Sequence, residues 1–381
     1  MTIRKEKRTK METPTNSDRL HEHFSKRGFI LGRWITEHGD SAEINLGSSG
    51  LHGMELKDIP IPKDLQLGGG MMGGDPSLQE ALEETFGVDR DNIVITAGAT
   101  EANLLLCTVF LKRNDGMVME RPYYSPLVDV PEHLGAGVVF LERNFEKGFA
   151  VDVEALGNVV SGAGAKQVTL TNLHNPSGVA IDDGTMGQIA ELANNKGIHV
   201  VVDEIFFDYV SDRYKHAFEH GDNLFTIGSL SKLPGVGGLR VGWIVGDKAV
   251  CDRVRKLKEV TTICSSLLDE VVTAAIIRDN KKYILKARDT AKKNTAIIDK
   301  WMASRKDVQW VRPSGGVVAF PRLPDGIDDL DFCKRLLKEK GTLVSPGTYF
   351  GVKGHFRMGF GKEESVVKKG LERIGQMLDG W

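Results

Sequence analysis

Between residues 92 and 245 short apolar runs alternate with helix-like stretches, and this alternation leaves few folds open. The runs Asn92–Thr96, Gly116–Glu120, Gly137–Leu141, Gln167–Thr171 and His199–Asp203 read as strands apolar on both faces. Helix-like segments separate them, among them Thr100–Leu111 and Thr185–Lys196, the second stopping at Gly197 as a C-cap. Strands buried on both sides need helices over both, which is the arrangement of a mostly parallel, doubly covered α/β sheet. Leu224–Ile227 and Arg240–Val245 flank a Ser/Gly/Lys loop and bring the strand total to seven. Beyond about 270 the character changes to long charged helices, Asp269–Arg278 and Lys282–Met302. Strands near Val317–Phe320 and His355–Gly359 then mark a smaller α/β unit. Residues 61–274 are therefore expected to form a large domain, and 26–60 with 275–381 a small one. Residues 1–25 read as a polar N-terminal arm that opens on a basic stretch.

Composition removes several functional classes. Lys and Arg number 50 against 52 Asp and Glu, a formal charge of −2, so no net field draws nucleic acid or an anionic membrane. No apolar run approaches the ~20 residues that span a bilayer, and the N-terminus lacks the apolar core of a signal peptide. Cys107, Cys251, Cys264 and Cys333 lie far apart with no CxxC pair, the usage of reduced cytoplasmic thiols rather than a disulfide frame or a zinc site. No metal is expected. The glycines gather at Gly68–Gly70 with Gly73–Gly74, at Gly235–Gly238 with Gly242, and at Gly315–Gly316. Such clusters fit tight turns where backbone approaches a ligand or another chain.

Open α/β sheets bind ligands beyond the carboxyl ends of their strands, so the residues there carry the most information. After Thr96 comes Gly98-Ala99-Thr100 opening a helix, whose N-terminal amides and hydroxyl would suit an anion. A plain N-cap accounts for that turn as well. After Glu120 comes Arg121-Pro122-Tyr123-Tyr124, an aromatic pair that core packing also explains. After Thr171 comes Asn172-Leu173-His174-Asn175-Pro176-Ser177-Gly178, a turn in which His174 is given no role. Asp203 closes an apolar strand, where a carboxylate costs several kcal/mol unless a cation or a hydrogen bond meets it. After Ile227 comes Gly228-Ser229-Leu230-Ser231-Lys232, then a glycine-rich stretch to Arg240 and Gly242. A lysine in a small-residue loop beside an anion site is a candidate for Schiff-base chemistry.

The segment SLSKLPGVGGLRVG, Ser229–Gly242, resembles the pyridoxal-phosphate attachment motif of the class I/II aminotransferases of fold type I. Ser229 stands three before the lysine, Ser231 just before it, and Arg240 eight after it. The resemblance runs over roughly residues 40–375 and implies roles for the other strand-end residues. It makes Gly98, Ala99, Thr100, Ser229, Ser231 and Arg240 the cradle of the cofactor phosphate, Tyr124 the aromatic stacked on its ring, and Asn175 the donor to its O3′. Asp203, 28 residues after Asn175, becomes the partner of the ring nitrogen, and Lys232 the Schiff-base lysine that also moves protons at the reacting carbon. Arg357, in Phe356-Arg357-Met358-Gly359-Phe360, becomes the clamp on the substrate α-carboxylate. It implies pyridoxal 5′-phosphate as cofactor, an L-amino acid and a 2-oxo acid as substrates, transamination as the reaction and a homodimer as the assembly.

Two positions depart from that family's pattern. The family usually has a tyrosine three residues after the aspartate, donating to O3′; here that position is Phe206, which cannot donate and leaves Asn175 as the recognisable O3′ partner, the alternative being that Tyr209 or a residue from elsewhere supplies the hydroxyl. The tyrosine that usually reaches the other subunit's phosphate aligns with Gly69, in a run without an aromatic. Ile44–Gly50 resembles the stretch over the substrate carboxylate, with Ser48, Ser49 and Gly50 as alternatives for the contact and Ser49 taken as the substrate residue. No second arginine is assignable to a side-chain carboxylate. The departures open a second reading, another reaction on the same scaffold: elimination, cyclisation or oxidative deamination of an amino acid. A ligand-sensing regulator of this type carries a helix-turn-helix unit, and no such pattern precedes Asn45.

Overall fold

The carboxyl ends of five parallel strands converge on one cleft, and the topology below explains why. The computed structural model describes residues 28–381 except 52, 60, 63, 64 and 69–71; the N-terminal arm and Gly69 lie outside the described residues. The first half runs α1 (Ile30–His38), β1 (Ile44–Asn45), α2 (Pro76–Phe86), β2 (Ile93–Thr96), α3 (Ala99–Phe110), β3 (Gly116–Arg121) and α4 (Pro126–His133). It continues with β4 (Gly137–Glu142), α5 (Val153–Ala163), β5 (Ala165–Thr171), α6 (Asp183–Lys196), β6 (His199–Asp203), β7 (Leu224–Ser229) and β8 (Gly242–Val245). Then follow α7 (Lys248–Glu259), α8 (Leu267–Arg278), α9 (Asn280–Ala303), β9 (Val318–Ala319) and α10 (Asp329–Lys340). The chain ends with β10 (Thr342–Leu343), β11 (Ser345–Pro346), β12 (Phe356–Gly359) and α11 (Glu364–Asp379).

Strands β2 to β8 form one sheet in the order β2-β8-β7-β6-β5-β3-β4. All pairings are parallel except those of β8, which runs antiparallel to β2 and β7. The period-two alternation of strands explains the apolar runs. In β3, Met117 and Met119 face Leu105, Leu106 and Phe110 of α3, while Val118 between them faces Leu156 and Val160 of α5. In β6, Val201 joins the first cluster and Val200 and Val202 the second, with Met186 and Ile189 of α6. Both faces are covered, as the sequence predicts. The C-cap expected at Gly197 is present, with φ +61° and its amide on Ala193 and Asn194 carbonyls.

The C-terminal part builds two small sheets, β1 with β10 in parallel and β11-β12-β9 antiparallel. Helix α11 buries Val367, Leu371, Ile374 and Leu378, a single stripe at helical spacing, against a core that also takes Phe332 and Leu336 of α10 and Ile298 of α9. That core extends to Leu173, Phe206 and Leu233, so it backs directly onto the loops at the strand ends. Among the described residues no helix is long and apolar enough to cross a membrane, no cluster of His, Cys, Asp or Glu could hold a metal ion, and all four cysteines are free thiols.

Candidate active site

Two backbone approaches shape the anion end of the cleft. Thr96 pairs with Gly242 across β2 and β8, and Gly242 pairs with Ser229 across β7. A methyl group on Gly242 would sit 2.6 Å from the Gly98 carbonyl carbon and 2.8 Å from Ala99 N, so only glycine lets these strands meet the turn. Gly98 itself has φ +82°, and a methyl there would lie 2.5 Å from Arg240 Nη2. The guanidinium therefore rests against the N-terminus of α3, where free amides and the helix dipole already favour an anion. Arg240 adopts φ +51° and donates from Nη1 to Gly237 O at 3.1 Å. Ser229 Oγ donates to Val241 O at 3.0 Å and accepts from Ser231 N at 3.2 Å, which fixes the loop that carries Lys232. Thr100 is exposed on the first turn of α3.

Asp203 and Lys232 occupy the middle of the cleft. Asp203 is buried at the end of β6 and accepts one hydrogen bond, from Ile205 N at 3.1 Å. Burial pushes its carboxyl up to about 7, against the opposing pull of that amide and of Lys232. Lys232 Nζ donates to Ser49 Oγ at 3.0 Å. Burial, reinforced by the Arg357 charge, brings its ammonium down to about 8. Tyr124 packs edge-on against Phe29 with ring centroids 5.4 Å apart, and burial pushes its phenol up to about 12.

Arg357 lies on β12 and is buried to 1% exposure. Its Nη1 donates to Asn175 Oδ1 at 3.1 Å, its Nη2 to Gly47 O at 2.8 Å, and the ring of Phe350 lies 4.9 Å from its Cζ. Its Nε has no partner. Two of the five N–H groups are spent, which leaves Nε–H and one N–H on each Nη for an incoming anion, and burial lowers its affinity for its own proton to about 10. Of the three candidates on the N-terminal strap, Ser49 meets Lys232, Ser48 Oγ is buried without a partner, and a methyl on Gly50 would lie 4.0 Å from Lys232 Cδ. The strap's contact with Arg357 is the carbonyl of Gly47, which sequence reasoning missed. It also missed His174, whose Nε2 meets Pro122 O at 2.9 Å and whose Nδ1 meets Ser177 Oγ at 2.6 Å. Burial holds that imidazole well below its usual value, so it is neutral, with Nε2–H donating to the carbonyl and Nδ1 accepting from the hydroxyl. It ties the turn bearing Tyr124 to the turn bearing Asn175.

A family model described as aminotransferase class I and II matches residues 67–374. The chain belongs to that family. Among its relatives, capreomycidine synthase of Streptomyces vinaceus is 28% identical over 362 residues, covering 91% of this chain and 93% of the relative. A PLP-dependent aminotransferase from Streptococcus suis superposes with a TM-score of 0.87 at 27% identity, covering 93% and 98% of the two chains. The PLP-dependent cyclase OrfR superposes with a TM-score of 0.83 at 26% identity, covering 92% and 97%. As a class I/II aminotransferase the protein is a pyridoxal-phosphate enzyme of fold type I. Its cleft fits that cofactor: the Gly98 and Arg240 cradle suits a phosphate, and an under-paired buried carboxylate at Asp203 calls for a cationic N–H. The amine between them suits the cofactor's aldehyde.

The lowered Lys232 value carries a prediction. Only the neutral amine attacks an aldehyde, so the rate at which cofactor-free protein captures pyridoxal phosphate should rise with pH and level off above about 8. Stopped-flow absorbance from pH 6.5 upward checks this. A rate still climbing tenfold per unit beyond pH 9 would show an amine with an ordinary lysine value of about 10.4.

Proposed function

We propose that this protein transfers the amino group of an L-amino acid to a 2-oxo acid, with Lys232 as the Schiff-base lysine. One observation carries the reading: Lys232, poised at about 8, shares a single cleft with a buried carboxylate on β6 and a buried guanidinium on β12. When bound, the cofactor supplies an electron sink that acidifies the substrate's Cα–H. Lys232 would then be the base that takes the proton from Cα and returns it at C4′. Asp203 holds the proton on the ring nitrogen. Arg357, through Nε and an Nη, grips the α-carboxylate and orients Cα–H. Asn175 Nδ2 would donate to O3′, Tyr124 would supply the aromatic against the ring, and Gly98, Ala99, Thr100, Ser229, Ser231 and Arg240 would hold the phosphate. Ser49 meets the substrate amine side of Lys232. Residues 61–274 make the cofactor-holding domain, with 26–60 and 275–381 as the smaller one.

A homodimer and a cytoplasmic site of action complete the proposal. Leu56, Leu67, Met72, Val260, Ile263 and Leu268 are exposed on two segments, 56–72 and 260–268, which supports a self-association face there. Light scattering at assay concentration should give twice the 41.9 kDa chain mass; a fully active monomer would exclude the dimer. The four free thiols support a reducing compartment. Incubation with single amino acids and 2-oxoglutarate, followed by mass spectrometry, tests the reaction. Glutamate forming in step with the donor's 2-oxo acid is expected.

A second reading has specific support. The capreomycidine synthase and cyclase relatives match at the same coverage as the aminotransferase, and Phe206 stands where a phenol is usual. Phe206 is buried in the same apolar cluster as Leu173, Leu233 and Tyr209, and the Tyr209 hydroxyl has no partner. On this reading a cyclised or eliminated product appears with no glutamate. Phe206→Tyr bears on both: a phenol donating to a charged oxygen is worth roughly 1.5–3 kcal/mol, about one to two pH units at ~1.4 kcal/mol each. The visible absorbance of the loaded protein should therefore titrate that much lower in the variant. Identical curves would mean that position 206 does not face O3′.

A further inference from the structure

Glu120 lies one strand behind the cleft, is fully buried, and has no part in the chemistry above. Its Oε2 accepts from Arg143 Nη1 at 2.7 Å, and both side chains are wholly inaccessible. Its Oε1 accepts twice from Thr171, from the backbone N–H at 2.7 Å and from Oγ1–H at 2.5 Å. With its proton committed to Glu120, Thr171 Oγ1 can only accept in the other direction, and it accepts the Asn175 N–H at 3.0 Å. Asn175 Oδ1 then accepts from Arg357 Nη1 at 3.1 Å.

We propose that Glu120 and Thr171 are positioning residues for the substrate-carboxylate clamp, setting the Asn175 turn and through it the direction of Arg357. A neutral hydroxyl could rotate and donate elsewhere, but the carboxylate fixes its proton and so fixes which N–H the oxygen receives. The charge itself is neutralised in place by Arg143, which also donates from Nε to Phe149 O at 2.6 Å and so is anchored from the far side. The chain of bonds ends on the guanidinium whose Nε is free. The proposal rests on Arg357 acting as the clamp.

The probe is 2-methylalanine, which carries the amine and carboxylate common to all donors and has no Cα–H to lose. Its dissociation constant for the loaded enzyme should rise roughly 5- to 10-fold in Thr171→Val, the worth of the one hydrogen bond that holds the Asn175 turn. It should stay at the wild-type value in Thr171→Ser, which keeps the hydroxyl. Glu120→Leu combined with Arg143→Met, which removes the acceptor without stranding a buried cation, should weaken 2-methylalanine in the same direction. A folded Thr171→Val with unchanged affinity, or a Thr171→Ser as weak as the valine variant, would overturn the proposal. If Thr171→Val does not fold, the double variant decides: unchanged affinity there overturns the relay. Arg357→Lys separates the two layers. If it weakens 2-methylalanine while the relay variants do not, only the relay fails; if it has no effect, the clamp reading fails first.

Discussion

Lys232→Ala is expected to abolish turnover while the protein still folds and still binds pyridoxal phosphate without a covalent bond. The phosphate cradle of Gly98, Ala99, Ser229 and Arg240 does not depend on the lysine side chain: Ser229 is fixed by Val241 O and Arg240 by Gly237 O. What the variant loses is the one amine in the cleft with a value near 8, and with it both the covalent anchor and the base. Equilibrium dialysis against the cofactor and an assay of the best donor separate these effects. Residual activity above about a hundredth of wild type would place the proton transfer on another group.

Asp203→Asn should lower activity by about two or more orders of magnitude with the fold unchanged. A carboxylate raised to about 7 by burial binds a proton or a cation strongly. An amide of the same shape keeps the Ile205 N–H contact but cannot hold the ring nitrogen protonated. Circular dichroism and cofactor retention establish that the variant is intact, and kcat reads the effect. A loss of only a few-fold would mean that the reaction runs without a protonated ring, which argues against amino transfer.

Much of this site was legible because its signals are local. The lysine loop packs Ser229, Ser231, Lys232 and Arg240 into twelve residues, and Asp203 is conspicuous as a charge ending an apolar strand. The both-faced burial of β3 and β6 is likewise written in their unbroken apolar runs. What escaped the sequence depends on distance along the chain. Glu120 looks like an ordinary strand end until Arg143, 23 residues away, and Thr171, 51 away, are folded against it. The Gly47 contact is a carbonyl, and backbone atoms leave no mark on residue identity. Choosing among Ser48, Ser49 and Gly50 needs the register of the strap. Pairing of Ile44 with Thr342 and Asn45 with Leu343, nearly 300 residues on, sets it. Helix α7 went unseen because its buried apolar face is only Val250, Cys251 and Val254, and the fourth buried residue, Lys258, is itself basic.

Reduction of the loaded enzyme with borohydride, followed by digestion and mass mapping of the pyridoxyl-bearing peptide, tests the central claim most directly. A single tagged peptide containing Lys232 is expected, in stoichiometric yield, and none from Lys232→Ala. A tag on any other lysine, or quantitative cofactor binding with no tag at all, would contradict it.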